Sequence, residues 1–389
     1  MSLKIQRIPE SAFPDYRYDV MFKAYKWDLQ AGEQSTVGDE VVLLDRQEAE
    51  YLAECAKALY HETVQMEHAL KSRPDLAVKM GISKDMANRL HACTYEADKH
   101  VRFMRFDFHP TKDGWMISEV NSDVPAGYPE ASVLPIITEQ YFDGYSRHGN
   151  FGETLTECLI KHLPKGGTVA YVHDTHTVED YQILHFLGDL LENEGYRSLY
   201  LAPNNVKWSE RKAIDIDAIF RHYPMEWMEC TEGIDWVSFL NADTPSCNHP
   251  LALLTQSKRL PLVWDELGVD ICVWKRLLPE TVCPCTITDT DNRILKPAFG
   301  RVGEGINIPG AVSAEENRDI FEAARKHPEQ WVAQRMFQSE PIQGKHVCIG
   351  AFVVDGEFAG FYGRAGNQSR IDGNAADVPV LVKEKMEEK

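Results

Sequence analysis

Two carboxylates, an amide and an arginine fall close together in Arg105-Phe-Asp-Phe-His109 and Glu119-Val-Asn121. Phe106 and Phe108 alternate with Arg105, Asp107 and His109, so a strand here puts the polar three on one face and the rings on the other. Lys112-Asp-Gly114 is a turn signal, and Trp115 to Val120 reads as the returning strand, with Glu119 and Asn121 pointing the same way. A hairpin would therefore gather Asp107, Glu119 and Asn121 beside the Arg105 guanidinium. Hard oxygen ligands that leave room for water and phosphate suit Mg²⁺. For one such segment alone, a charged hairpin face with no ligand is the commoner case. The rest of the chain has to decide.

A second set of residues suggests what the metal would serve. Arg293 to Pro297 reads as a strand carrying Lys296 into Phe299-Gly-Arg-Val-Gly-Glu-Gly-Ile306. Gly300, Gly303 and Gly305 would let backbone N–H groups come close to phosphate oxygens. Ordinary turns look similar, and it is Lys296 just before the loop that favours phosphate. Trp331 to Phe337 and His346 to Val354 read as strands, and after the turn Asp355-Gly356 a strand Glu357 to Tyr362 returns toward Arg364.

Other elements must position these groups. Residues 47 to 72 read as an amphipathic helix burying Leu52, Cys55, Ala56 and Leu59, and 86 to 100 as a second helix. A helix-like segment begins at Pro261. Thr168 to Val172, a helix over 178 to 194 ended by Gly195, Ser198 to Leu201 and Asp217 to Phe220 form a β-α-β run. They predict a small α/β lobe with a parallel sheet. Ligands gather beyond the carboxyl ends of such strands, where His173, Asp174, Glu179 and Asp180 follow. For each acid the alternative is simple complementation of the helix dipole.

The 389 residues, 43% of them hydrophobic, can bury a core of two or three lobes. With 41 basic and 60 acidic residues the net charge is −19, which argues against nucleic acid and anionic membranes as partners. The nine cysteines are scattered without a CxxC pair, as reduced thiols are. No signal peptide or spanning stretch is apparent, so the expected location is the cytoplasm.

The order of these segments resembles the synthetase module of the glutathionylspermidine synthase family, a branch of the ATP-grasp ligases. The resemblance rests on Arg-Phe-Asp-Phe at 105–108, Glu-Val-Asn at 119–121 and Phe-Arg-His-Tyr-Pro-Met-Glu-Trp-Met at 220–228. It extends through Gln-Ser-Lys-Arg-Leu-Pro-Leu-Val-Trp at 256–264, Leu-Lys-Pro-Ala-Phe-Gly-Arg at 295–301, Gln334, and Asp-Gly-Glu-Phe-Ala-Gly at 355–360 running into Arg364. It implies an α/β (α+β) ATP-grasp fold with permuted element order, since the acidic ligands precede the lysines. Three parts are expected: N-terminal helices and metal hairpin over 1–150, a small α/β substrate-side lobe over 151–245, and the lysine, glycine-loop and nucleotide part over 246–389.

The implied roles are specific. Asp107, Glu119 and Asn121 would hold two Mg²⁺ ions on ATP. Lys258 and Lys296 would neutralise its phosphates under the loop from Gly300 through Gly303 to Gly305, with Gln334 near the adenine. Arg105 and Arg364 would stabilise the transferred phosphoryl group and the tetrahedral intermediate. Glu179, Asp180 and Asp377 fall to the substrates, a small carboxylic acid of peptide-like kind and a small amine, with polyamines among the candidates. The reaction would be amide formation through an acyl phosphate. Some bacterial members carry an N-terminal cysteine amidase, for which this chain has no room. Ser122-Asp-Val-Pro-Ala-Gly127 has fewer hydroxyls than glutathione-binding members, and the loop departs from the family's usual pattern. The alternatives are a small-molecule kinase of the same fold and a silent nucleotide-binding scaffold.

Overall fold

Alternation of buried rings with polar residues sets the central sheet. The computed structural model describes residues 2–27, 29–31, 34–287, 292–301, 303 and 305–385. Strands Phe103–Thr111 and Gly114–Asn121 form the expected hairpin. They lie at one edge of a five-stranded antiparallel sheet, followed by His346–Val354, Glu357–Gly366 and Ala376–Val378. Phe106 and Phe108 are fully buried in one core with Leu52, Cys55, Ala56 and Leu59 of helix Arg46–Lys71, the helix expected there. Each ring contributes roughly 2–3 kcal/mol of burial, and a one-residue slip of the strand would forfeit both. That locks Arg105, Asp107 and His109 onto the opposite face.

The register breaks between Phe106 and Phe108. Phe106 pairs with Val120 but Phe108 with Ile117, so Ser118 and Glu119 together oppose Asp107. Such a bulge re-aims side chains beside a site, and its period-2 sequence pattern gives no sign of it.

The α/β lobe has strands Thr168–His173, Arg197–Leu201, Ala218–His222 and Ser246–Cys247, all parallel, with helix Val178–Asn193 between the first two. A smaller sheet of Thr281–Val282, Trp331–Arg335 and Arg293–Pro297 packs Leu295 and Ala333 against Ile320 and Ala324 of helix Ala314–Lys326. A fourth sheet is absent from the sequence reading. It joins Leu3–Arg7, Glu40–Leu44, Val380–Lys383 and Tyr145–Ser146. Residues near both ends of the chain thus share two sheets, and the expected parts 1–150 and 246–389 interleave.

Three elements differ from expectation. The helix expected over 86–100 is Lys84–Ala92, capped by Ser83, with a short turn at Ala97–Lys99. Cys-Thr-Tyr is a poor helical sequence, and Tyr95 instead packs its ring on His100 and His249. Past Pro261 the chain makes 3₁₀ turns, Leu260–Leu262 and Trp264–Glu266, before helix Cys272–Leu277. Arg364 lies inside the strand ending at Gly366, paired between Cys348 and Asp377, rather than at the start of a free loop. Among the described residues no helix is long and apolar enough to cross a membrane.

Candidate functional site

A cleft of about 1080 Å³ opens where the polar face of the central sheet meets the α/β lobe and the small sheet. It exceeds the roughly 300–1,000 Å³ of ordinary single-ligand pockets. Arg105, Asp107, Glu119, Asn121, Glu179, Asp180, Lys296, Gly303, Arg364 and Asp377 all line it. Lys258, Gly300, Gly305 and Gln334 do not, although Lys258 pairs with the cleft-lining Glu119.

The hairpin carries the densest charge. Arg105 meets Asp107 with both forks, Nε to Oδ1 at 2.7 Å and Nη2 to Oδ2 at 2.9 Å. Asn121 Nδ2 donates to Asp107 Oδ2 at 3.0 Å. The guanidinium also sits 4.9 Å over the Tyr362 ring. Its stem crosses Gly350, where a Cβ would lie 2.7 Å from Arg105 Cδ. Glu119 pairs with Lys258 at 2.8 Å. Burial would raise the Glu119 carboxyl, but Lys258 and then Lys296 outweigh it and hold it below the usual range. Burial pushes the Lys296 ammonium down to about 8, Glu119 opposing and Lys258 adding to the shift. Two lysines and an arginine thus face two carboxylates, a local excess of positive charge that an anionic ligand would relieve.

The glycine loop is bound to this cluster. Lys258 Nζ donates to the Gly300 carbonyl at 2.6 Å, and Gly303 and Gly305 take φ of +70° and +67°, which favour glycine. A Cβ on Gly303 would stand 2.8 Å from the Ile371 carbonyl, so the segment after Arg364 lies against the loop. Val302 and Glu304, the other residues of the loop motif, lie outside the described residues. Arg301 pairs with Glu226 and stacks 5.3 Å over Trp227, joining the loop to the 220–228 string.

Gln334 does not line the cleft. Its Nε2 donates to Thr281 Oγ1 at 3.0 Å, and its Oε1 is buried with no partner among the described residues. The residues just after it, Met336 to Ser339, line the cleft.

Asp180 is half-buried in the first turn of the α/β lobe's helix, and its carboxyl is pushed up to about 7 by burial, Glu179 and Asp174. Being in the first helical turn does not offset that. His222 Nε2 lies 3.6 Å away, but burial and His173 hold the imidazole neutral, down to about 3, so no ion pair forms. Such a carboxyl binds a proton in the native state that the unfolded chain, with a pKa near 4, has lost. Stability therefore falls as pH rises from about 4 to about 7. Asp180→Asn is expected to be more stable than the parent at pH 8, on the order of 2 kcal/mol, and equal to it below pH 4. Urea melts across pH would show this, and a difference independent of pH would contradict it.

Asp377 is differently placed from the expectation of a free substrate ligand. It receives Lys26 Nζ at 2.8 Å and the Tyr362 hydroxyl at 2.7 Å, with Arg364 Nε at 3.9 Å. Arg364 Nη2 also donates to the carbonyl of Ala375 at 3.2 Å. Lys26, Glu130, Ser118, His222 and Arg301 line the cleft without having been singled out. Arg301 and His222 had a signal, as members of the Leu295–Arg301 and 220–228 strings.

The loop beyond Asn121 is pinned by buried polar groups. Arg221 forks onto Asp123, both essentially inaccessible, and Asp123 Oδ2 accepts from Met225 N at 3.0 Å. Gln256 Oε1 accepts from the backbone of Ser122 and Asp123, both at 2.8 Å. Asn248 Nδ2 donates to the Phe103 and Asp123 carbonyls at 2.9 and 3.0 Å.

The glutathionylspermidine synthase preATP-grasp family matches residues 7–383. No curated protein matches the chain. Among solved structures, a glutathione synthetase-like effector from Globodera pallida in its apo form is similar over 95% of this chain and 97% of its own. The TM-score is 0.62 at 11% identity, a likeness of fold. A protein assigned as a gamma-glutamylcysteine synthetase from Methylobacillus flagellatus covers 79% of this chain and 88% of its own, at 12% identity and TM-score 0.47.

Proposed function

Because the chain belongs to the glutathionylspermidine synthase preATP-grasp family, we propose that it is an ATP-dependent ligase joining a small carboxylic acid to a small amine. The observation that carries the reading is an oxygen-donor set (Asp107, Glu119, Asn121) sharing one cleft with Lys296, while Lys258 pairs with Glu119 from just behind the lining.

The donor set fits Mg²⁺. It offers two carboxylates and an amide, too few to close a metal's shell, and Mg²⁺ habitually completes its shell with water and phosphate. The net positive charge around it fits a polyphosphate. Gln334 itself does not line the cleft; the segment just after it, Met336 to Ser339, does and would lie nearer the adenine. When bound, Mg²⁺ would neutralise the phosphates and polarise the bond to be broken.

The chain's own side chains account for the rest. Lys258 and Lys296 hold phosphate oxygens, the first tying the glycine loop to Glu119 as it does so. Arg105, braced by Asp107, and Arg364, braced by Asp377, meet the charge that grows on the transferred phosphoryl group and on the tetrahedral adduct that follows. The substrate carboxylate takes the phosphoryl group to become an acyl phosphate; the neutral amine then displaces phosphate, leaving an amide. Positioning and charge neutralisation suffice, and no side-chain nucleophile is needed. Asp180 supplies a carboxyl for the amine.

Lys258→Met and Lys296→Met are each expected to raise KM for ATP or lower kcat, by about tenfold or more. Lys275→Met should change neither, because Lys275 is exposed and paired with Asp265 at 2.7 Å. Steady-state ADP release on the three variants tests this. An essential Lys275 with a dispensable Lys258 would overturn the assignment.

A further inference from the structure

Lys26 reaches the cleft from the segment after helix Phe13–Lys23, and its ammonium is held between two carboxylates. Nζ lies 2.5 Å from Glu130 Oε1 and 2.8 Å from Asp377 Oδ2. All three residues are at least nine-tenths buried, and all three line the cleft. They come from three separate elements: a loop, the first turn of helix Tyr128–Glu139, and strand Ala376–Val378.

Two features set this cluster apart from an ordinary buried ion pair. Glu130 Oε2 is buried and has no hydrogen-bond partner among the described residues, so the box has an acceptor to spare. Tyr25, just before the lysine, takes φ +59°, a left-handed conformation that a bulky residue adopts only when its surroundings enforce it. Its hydroxyl is tied to Asp189 of helix Val178–Asn193. The backbone is thus bent to deliver an ammonium into a box of carboxylates. Tyr362 and Arg364 complete the polar surroundings of Asp377, and burial keeps Glu130 prone to protonation if its cation is removed.

We propose that Glu130 and Asp377 form a cation subsite of the cleft and that Lys26 fills it permanently, which closes this subsite to an ammonium of the acceptor amine. That the excluded ammonium belongs to an acceptor amine rests on the ligase reading; the subsite and its occupant do not. A second ammonium on the substrate would find this box already taken. Removing the lysine should open it.

The test is thermal melting and calorimetry at pH 8 with n-propylammonium and with spermidine, no nucleotide present. Propylammonium has the length of the side chain that Lys26→Ala deletes. The expected result is that both amines bind Lys26→Ala roughly a hundredfold more tightly than the parent, because the variant leaves buried carboxylates uncompensated. Lys26→Ala combined with Glu130→Gln should lose most of that gain. Equal binding by parent and variant, or none by a folded variant, overturns the proposal. A Lys26→Ala chain that stays unfolded even with propylammonium present also overturns it, since a true subsite would accept the free ion. Folding rescued by the amine supports it. Amine binding by the variant with no ligase activity in the parent would sink the ligase reading and leave the subsite standing.

Discussion

Glu119→Ala is expected to lose essentially all ATP turnover, about 10³-fold or more, while melting close to the parent. The carboxylate sits in the bulge opposite Asp107, paired with Lys258 and close enough to Lys296 to shift its titration. Removing it takes away one of the two anionic donors of the proposed metal site and leaves the two lysines without the carboxylate between them. The Glu119 side chain is partly exposed, and Lys258 keeps its bond to the Gly300 carbonyl, so the fold should tolerate the change. Calorimetry with MgATP together with ADP release reads both halves. Normal affinity with normal turnover would remove Glu119 from the metal site.

Arg221→Leu should cost about 3–5 kcal/mol of stability, the largest effect expected of a single substitution away from the phosphate cluster. Its guanidinium and the Asp123 carboxylate are both essentially inaccessible. Arg221 Nη1 also donates to the Tyr223 carbonyl at 2.8 Å. Without the arginine, burial favours protonating Asp123, whose carboxyl Arg221 now keeps below the usual range despite burial. The double variant Arg221→Leu with Asp123→Leu should recover part of the loss, because no lone charge remains. Urea denaturation of the single and double variants checks this. A single variant as stable as the parent would mean that the pair does not hold the lobe in place.

Much of the hairpin was legible because its two signals agree: rings alternating with charges, and a turn at Lys112 to Gly114. The same holds for the β-α-β lobe, where apolar runs alternate with a helix ended by Gly195. The bulge was not legible, since its cause is the pairing of two strands and not the pattern in either. The sheet joining Glu40–Leu44 to Val380–Lys383 was missed because both strands are buried on both faces and show no alternation. Lys26 had no local signal at all; it becomes meaningful only where chain segments 104 and 351 residues apart bring Glu130 and Asp377 to it. Arg364 was named from the family pattern and Asp377 as a substrate candidate, but their mutual contact and the one with Lys26 required the sheet register.

The central claim is tested most directly by oxygen transfer. Carboxylic acids labelled with ¹⁸O in the carboxylate would be incubated with MgATP and a panel of amines, and the products read by mass spectrometry. The account predicts that one labelled oxygen appears in phosphate for each amide formed, with ADP, and that amide formation stops without the amine. Phosphate retained on an acceptor with no amide would indicate a kinase, and amide formed with AMP or with no label in phosphate would contradict the acyl-phosphate ligase outright.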